Sequence, residues 1–280
     1  MTQLTLSDKE FGQFQKMIYD IAGISMSPVK KPLVSGRLAK RVKHYALNSY
    51  GEYFKLLMSN SGEGELQVAI DLLTTNETYF FREEYQFQCL VNSILPEITA
   101  KKTDRSPIRI WIIPSSSGEE PYSVAISLLE NWAGLNDWDI EIISSDIDTK
   151  ILAAARKGFY SARSVAQLPP RHLQKYFTRT NDGFQICDDL RQAVEFTRVN
   201  LNDRVDTRAY RNFDVIFCRN LLIYFDDVSR KAAAETFYDA LKPGGFILLG
   251  HSESMSRISS LYKVRKFPEA IVYQKSLESR

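Results

Sequence analysis

Apolar residues recur at helical spacing through the first third of the chain and then give way to short, almost wholly apolar runs. Phe11, Phe14 and Ile18 fall on one helical face. Ser7-x-x-Glu10 before them has the spacing of a capping box, which satisfies free amides at a helix start, and Gly23 supplies a stop. Pro32 opens a second predicted helix, in which Leu33, Leu38 and Val42 alternate with bases. Residues 50–58 and 66–73 predict two more, and no strand signal precedes residue 107.

From there the period changes. Residues 108–113 (IRIWII) read as a strand buried on both faces, as a parallel sheet covered by helices requires. Residues 140–145, 194–199, 213–218 and 246–249 predict further strands. Helical spacing over 121–132, 149–157 and 228–241 separates them, the last helix stopped by Pro243-Gly244-Gly245. This alternation predicts an α/β fold, a doubly wound and mostly parallel Rossmann-like sheet with right-handed crossovers. One stretch breaks the rhythm. Asn181-Asp182-Gly183 between two strand-like runs is a hairpin signal, so an antiparallel β subdomain is expected as an insert at about 172–198. The predicted organisation is an all-helical N-terminal domain over 1–75, a linker or helix over 76–106 that contributes to the site, and the α/β domain over 107–280.

Composition narrows the class. The 280 residues, 44% hydrophobic and 25% charged, suit a soluble globular chain with a sizeable core. There is no apolar run of membrane-spanning length, and the N-terminus has neither the basic nor the apolar region of a secretory signal, so a cytoplasmic protein is predicted. Cys89, Cys187 and Cys218 are scattered without zinc spacing, and the three histidines are isolated, so no metal site is expected. The net charge of +2 is concentrated locally. From Ile21 to Gly51 there is no acid, while Lys30, Lys31, Arg37, Lys40, Arg41 and Lys43 supply six bases, a patch that attracts an acidic partner. No RNA-binding motif accompanies it, and no nucleic-acid partner is predicted.

In open α/β sheets the ligand lies beyond the carboxyl ends of the strands. Those ends carry Pro114-Ser115-Ser116-Ser117-Gly118-Glu119-Glu120, Asp146-Ile147-Asp148, Asn200-Leu201-Asn202-Asp203 and Arg219-Asn220. The first loop has one glycine where a dinucleotide fingerprint needs three. Acids at a helix start also repel a pyrophosphate. A cofactor with a ribose and a cationic amine but no phosphate fits better, and S-adenosylmethionine has both. An acid such as Asp146 can hold both hydroxyls of a ribose.

These residues also carry a resemblance. Thr75-Asn76-Glu77-Thr78-Tyr79-Phe80-Phe81-Arg82-Glu83 resembles the N-x-T-x-F-F-R-E motif of chemotaxis receptor methyltransferases, the CheR family. Gly118-Glu119-Glu120-Pro121-Tyr122-Ser123, Ser145-Asp146-Ile147-Asp148-Thr149, and Phe217-Cys218-Arg219-Asn220 with Ile223-Tyr224-Phe225 match it in order. So do Leu241-Lys242-Pro243-Gly244-Gly245 and Gly250-His251-Ser252-Glu253. One departure is local: Ile112, Ile113 and Pro114 stand where the family has small residues. The resemblance spans nearly the whole chain and implies a class I methyltransferase domain with a helical N-terminal domain and an inserted antiparallel subdomain. It implies S-adenosylmethionine, giving S-adenosylhomocysteine, in contact with Asn76, Thr78, Arg82, Glu120, Asp146, Asn200, Leu201, Arg219 and Asn220. It implies methyl esters formed on glutamates of chemoreceptor cytoplasmic helices, in chemotactic signal transduction, with membrane contact only through the receptor. Arg82 and Tyr224 would orient the acceptor carboxylate, and Arg37, Lys40, Arg41 and Lys43 would face the acidic receptor. Some members dock a receptor C-terminal pentapeptide on the subdomain; the short turn over 178–183 here predicts no such tether. A methyltransferase for another acceptor, or a non-catalytic cofactor-binding regulator, would share much of the same site.

Overall fold

The computed structural model describes residues 4–59, 62 and 64–277. The N-terminal unit is helical: α1 (Asp8–Ala22), α2 (Lys31–His44), α3 (Tyr50–Leu57) and α4 (Glu65–Leu73). The capping box forms as its spacing demands. Ser7 Oγ accepts from the Glu10 amide and Glu10 returns the bond to Ser7, while Gly23 closes α1 in the left-handed conformation at φ 71°. Phe14, Ile18, Leu38, Tyr53 and Leu73 form the buried core of this unit.

One charged cluster sits inside it. Glu65 is 5% exposed and accepts two bonds from Arg41, at 2.8 and 2.6 Å, with further bonds from the Tyr53 and Tyr45 hydroxyls. Burial pushes the Glu65 carboxyl up, but the bonds from Arg41 and the two tyrosines outweigh it and hold it below the ordinary value. Removing one member of a buried pair strands the other charge. Arg41→Ala is therefore expected to destabilise the protein by about 3 kcal/mol in chemical denaturation, and a loss under about 1 kcal/mol would refute that role.

The chain then passes through α5 (Tyr85–Cys89), a π-helical stretch (Leu90–Ile94) and α6 (Leu95–Lys101). The α/β domain follows as β1 (Ile108–Ile112), α7 (Glu119–Asn131), β2 (Ile140–Asp146), α8 (Thr149–Lys157), β3 (Phe159–Tyr160), α9 (Pro170–Tyr176), β4 (Phe177–Arg179), β5 (Phe184–Ile186) and α10 (Asp188–Gln192). It continues as β6 (Val194–Arg198), α11 (Arg204–Thr207), β7 (Phe213–Cys218), α12 (Asp227–Ala240), β8 (Leu241–Leu249), β9 (Tyr262–Lys266) and β10 (Ile271–Lys275). The described residues form a seven-stranded sheet in the order β6-β2-β1-β7-β8-β10-β9. The first five strands run parallel, and β10 and β9 pair antiparallel at one edge. Successive β1 side chains divide between two cores, as a strand's period of two requires. Ile108, Ile110 and Ile112 pack with Val124 and Leu128 on one face; Trp111 and Ile113 pack with Ala233 and Phe237 on the other. The bulky Ile112 and Ile113 thus fill the cores and leave Pro114 at the strand tip.

A second sheet, β3-β5-β4, is antiparallel and holds the Asp182-Gly183 turn. Its extent differs from the expected 172–198. It begins with β3 at Phe159, a two-residue strand too short to show alternation, and β6 pairs with β2 in the main sheet instead. The stop after α12 also differs. The helix ends at Ala240, and Pro243-Gly244-Gly245 lies inside β8, beside a register shift opposite Phe213 and Val215.

The helical unit is docked on the carboxyl edge of the main sheet. Asn200 Nδ2 donates to the Ile21 carbonyl at 2.7 Å, Tyr19 to Asp226 at 2.9 Å, and Gln67 to the Ile147 carbonyl at 2.8 Å. The segment between α1 and α2 runs over that edge, where Ile24 bridges to Phe225.

Candidate functional site

Three adjoining cavities lie beyond the ends of β1, β2, β6 and β7, and Pro114 lines all of them. They share walls: Asp146 and Ile147 line two of them, as do Asn220 and Tyr224. The largest is polar, with Asn76, Thr78, Arg82, Ser115, Ser116, Glu120, Arg219, Asn220 and Tyr224 among its walls. The middle one adds Asp146 and the 24–26 segment. The smallest is mostly apolar, with Ile24, Ile147, Val199 and Leu201 around Asn200.

The tip of β1 is shaped by sterics. Ser116 lies in the left-handed region at φ 49°, and Gly118 at φ 94° starts α7. A Cβ on Gly118 would come within 3.0 Å of both Tyr122 and Tyr160, so glycine is required there by conformation and by space. Non-glycine residues with positive φ cluster here: Phe81, Glu83, Ser116 and Asn220. Such strain concentrates where surrounding structure holds a functional geometry.

Asp146 is 4% exposed at the end of β2. Its two oxygens accept the Ser116 and Asp148 amides at 2.8 and 3.0 Å. A carboxylate has about four acceptor positions, so these bonds leave room for ligand hydroxyls. Burial lifts its pKa to about 6, against the pull of the Asp148, Ser116 and Ile147 amides. Glu120 is raised too, by burial first, with Arg219 opposing. Arg219 is fully buried and lies 3.1 Å from Glu120 and 3.4 Å from Glu83. It also donates to the Arg82 carbonyl at 2.5 Å and stacks on Phe87 at 5.4 Å.

The two glutamates at the start of α7 have different fates. Glu119 turns away from the cavities and accepts from Ser117 and Ser164, tying the loop to the inserted subdomain; only Glu120 lines the cavity. The phenylalanines of the Asn76–Glu83 motif are anchors. Phe80 packs edge-on to Tyr160 and Phe177, and the Phe81 amide donates to Ser123.

The residues singled out from the sequence for the cofactor and acceptor therefore line one continuous site, but not all offer free polar groups. The Asn76 amide is committed to Asp148 at 2.7 Å. The Asn200 side chain is spent on Ile21 and Asn202. Arg82 donates to the Glu77 carbonyl and lies over Tyr79, yet has no ion pair among the described residues. Tyr224 borders the two larger cavities, and its phenol is raised by burial first and then by Glu77. Of the basic positions on α2, Arg41 is consumed by Glu65 and Arg37 donates to the Leu73 and Thr74 carbonyls at the end of α4. Lys40 and Lys43 are exposed, and Lys30 stands at the mouth of the middle cavity. Sequence reasoning missed Ile24, Ser25, Met26 and Ile147 as walls, and Glu83 as a partner of Arg219.

Two buried polar atoms test whether a ligand belongs here. Among the described residues Ser115 Oγ and Arg219 Nε have no hydrogen-bond partner, and both residues line the largest of the three cavities. Buried polar groups are ordinarily bonded, so a polar ligand completes this wall. With the free acceptor positions on Asp146 and the apolar slot beside Leu201, the donor set fits a nucleoside carrying an amino-acid tail.

A parallel sheet with an antiparallel edge, an acid at the second strand's tip and no phosphate-binding glycines define a class I methyltransferase that uses S-adenosylmethionine. The chain belongs to the CheR methyltransferase family: residues 9–74 match its all-alpha domain and residues 76–271 its SAM binding domain. It is 48% identical over 276 residues to chemotaxis protein methyltransferase 2 of Vibrio cholerae serotype O1, covering 98% of this chain and 96% of that one. It is 37% identical over 270 residues to the chemotaxis protein methyltransferase of Salmonella typhimurium, covering 95% and 91%. The protein is thus a methyltransferase of chemotaxis. Among the described residues no helix is long and apolar enough to cross a membrane.

Proposed function

We propose that this protein works in the cytoplasm and methylates glutamate side chains on the helices of chemoreceptors, forming glutamyl methyl esters. S-adenosylmethionine, when bound, supplies an electrophilic methyl group. In this reading Asp146 holds the ribose hydroxyls, Glu120 and Arg219 take the amino-acid end, and Leu201 and Ile147 flank the adenine. Asn76, Asn200 and Asn220 act chiefly through the backbone they fix, and Thr78 closes the wall.

A glutamate carboxyl has an ordinary pKa near about 4.3, so it is already ionised at neutral pH and needs no general base. None of the three histidines lines the cavities, in keeping with that chemistry. The observation that carries the reading is the guanidinium of Arg82, which has no ion-pair partner among the described residues and faces one cavity with the Tyr224 phenol. Arg82 can take the acceptor carboxylate in a bidentate grip. Tyr224, with its proton held by burial, can donate to the same group. Orientation and exclusion of water then account for the rate. Transfer of labelled methyl groups to receptor-containing membranes tests it: base-labile incorporation is expected, and its absence would sink the proposal.

The outer face of α2 is the proposed docking surface for the receptor, through Lys30, Lys40 and Lys43, with Arg37 beside them. Arg41 belongs to the fold instead. The Lys40→Glu/Lys43→Glu pair is expected to raise KM for receptor roughly 5–10-fold at low salt, an effect that fades as salt increases. S-adenosylhomocysteine affinity should not move; a parallel loss of both would contradict the assignment.

A further inference from the structure

The Gly250-His251-Ser252-Glu253 segment follows β8 and lies outside the cofactor cavity, yet it meets the site from behind. Glu253 Oε2 accepts two backbone hydrogen bonds at 2.8 Å, one from Asn220 at the end of β7 and one from Gly250 at the end of β8. The amides of Leu222 and Ile223, in the single 3-10 turn that ends at Tyr224, also face this carboxylate. Asn220 itself lies at φ 58°, a conformation that needs outside support. Gly250 makes the approach possible. A Cβ there would fall 2.7 Å from Asn220 Nδ2, 2.8 Å from Glu253 Oε2 and 3.0 Å from the Asn220 amide.

We propose that Glu253 is a positioning residue for methyl transfer, holding the 220–224 turn so that Tyr224 meets the acceptor carboxylate. The inference rests on the proposed function above. A charged acceptor serving several amides at once is stronger than a neutral one, and here Oε2 takes both the Asn220 and Gly250 amides, while the buried Oε1 has no hydrogen-bond partner among the described residues. Burial raises the Glu253 carboxyl, opposed by the amides of Asn220 and Gly250, so the turn and the charge depend on each other. Glu253 does not line the cavity that Tyr224 and Arg82 share, so its influence travels through the backbone it grips.

Glu253→Gln keeps the volume and puts a neutral amide oxygen in place of the charged acceptor of the Asn220 and Gly250 amides. With receptor-containing membranes as substrate, kcat is expected to fall about 10–100-fold, the scale of misplacing a reacting group by an ångström. S-adenosylhomocysteine affinity should stay within about threefold, because Asp146 and Glu120 are untouched, and KM should change as little. Since both residues act on the same contact, adding Glu253→Gln to Tyr224→Phe should cost less than about threefold more. Gly250→Ala, which pushes a methyl group between Asn220 and Glu253, should reproduce the loss and decides the matter if Glu253→Gln does not fold. Wild-type kcat in both variants, full additivity with Tyr224→Phe, or a cofactor affinity that falls in step with kcat would each overturn the role. Failure of the wild type to form base-labile methyl groups would instead remove the function on which it rests.

Discussion

Asp146→Asn is expected to weaken S-adenosylhomocysteine binding about 30–100-fold, while the unliganded variant gains stability relative to wild type as pH rises. The first effect follows from lone pairs. Both oxygens of Asp146 already serve backbone amides, and the ribose needs the positions that remain. An amide group turns one oxygen into a donor, which faces either Ser116 or Asp148 with the wrong polarity. A lost bond to a charged group is worth about 1.5–3 kcal/mol, and each 1.4 kcal/mol is tenfold in affinity. The second effect follows from proton linkage. The folded pKa of about 6 stands above the ordinary 3.8, so Asp146 favours the folded state below pH about 3.8. That contribution is lost as pH rises to about 6 and is flat above. Across that window the variant should gain ~3 kcal/mol on wild type, taking 1.36 kcal/mol per pKa unit. Calorimetric titration and denaturation at pH 4.5 and 7 measure the two effects, about 2 kcal/mol of the second falling between those two pH values. A constant stability difference across pH would show that Asp146 is not strained by its burial.

Arg219→Met should be the most damaging single change to the fold at the site, with an expected loss of about 3–5 kcal/mol in denaturation experiments. The guanidinium is fully buried between Glu120 and Glu83, and its loss leaves both acids facing a poorly solvated wall. Adding Glu120→Gln should recover part of the loss, because burial already drives Glu120 toward its neutral form. A single variant as stable as wild type, or a double variant worse than the sum of its parts, would show that Arg219 does not neutralise this wall.

Both residues stand at strand tips that the sequence pattern marks out. The central strands were legible because burial on both faces produces unbroken apolar runs, and the α1 boundaries because capping chemistry is local. β3, β9 and β10 were not. β3 has two residues, β9 carries Lys263, Arg265 and Lys266 at the sheet's edge, where no apolar run is required, and β10 is a short strand whose apolar run ends at Tyr273. At the site, the identity of polar tips was readable but their allegiance was not. Glu119 and Glu120 are neighbours in sequence, yet the turn of α7 sends one to Ser164 and the other to Arg219. Asn76, Asn200 and Arg41 have suitable chemistry for a ligand or partner, and each is claimed by a contact more than twenty residues away in the chain. The walls at Ile24, Ser25 and Met26 exist only because the helical unit docks on the sheet, an event with no local signature.

That docking couples two properties that could otherwise drift apart. Residues 21–26 at once anchor the helical unit, through the Ile21 carbonyl and the Ile24 bridge, and wall the cofactor cavities. A duplicated copy of this protein adapting to a new receptor can vary the outward face of α2 freely. Substitutions that reach α1's end, Asn200 or Asp226 would alter the hold on the cofactor at the same time. Divergence in partner choice is thereby channelled to an exposed helix surface, while the 22–26 segment stays under the constraints of an active-site wall.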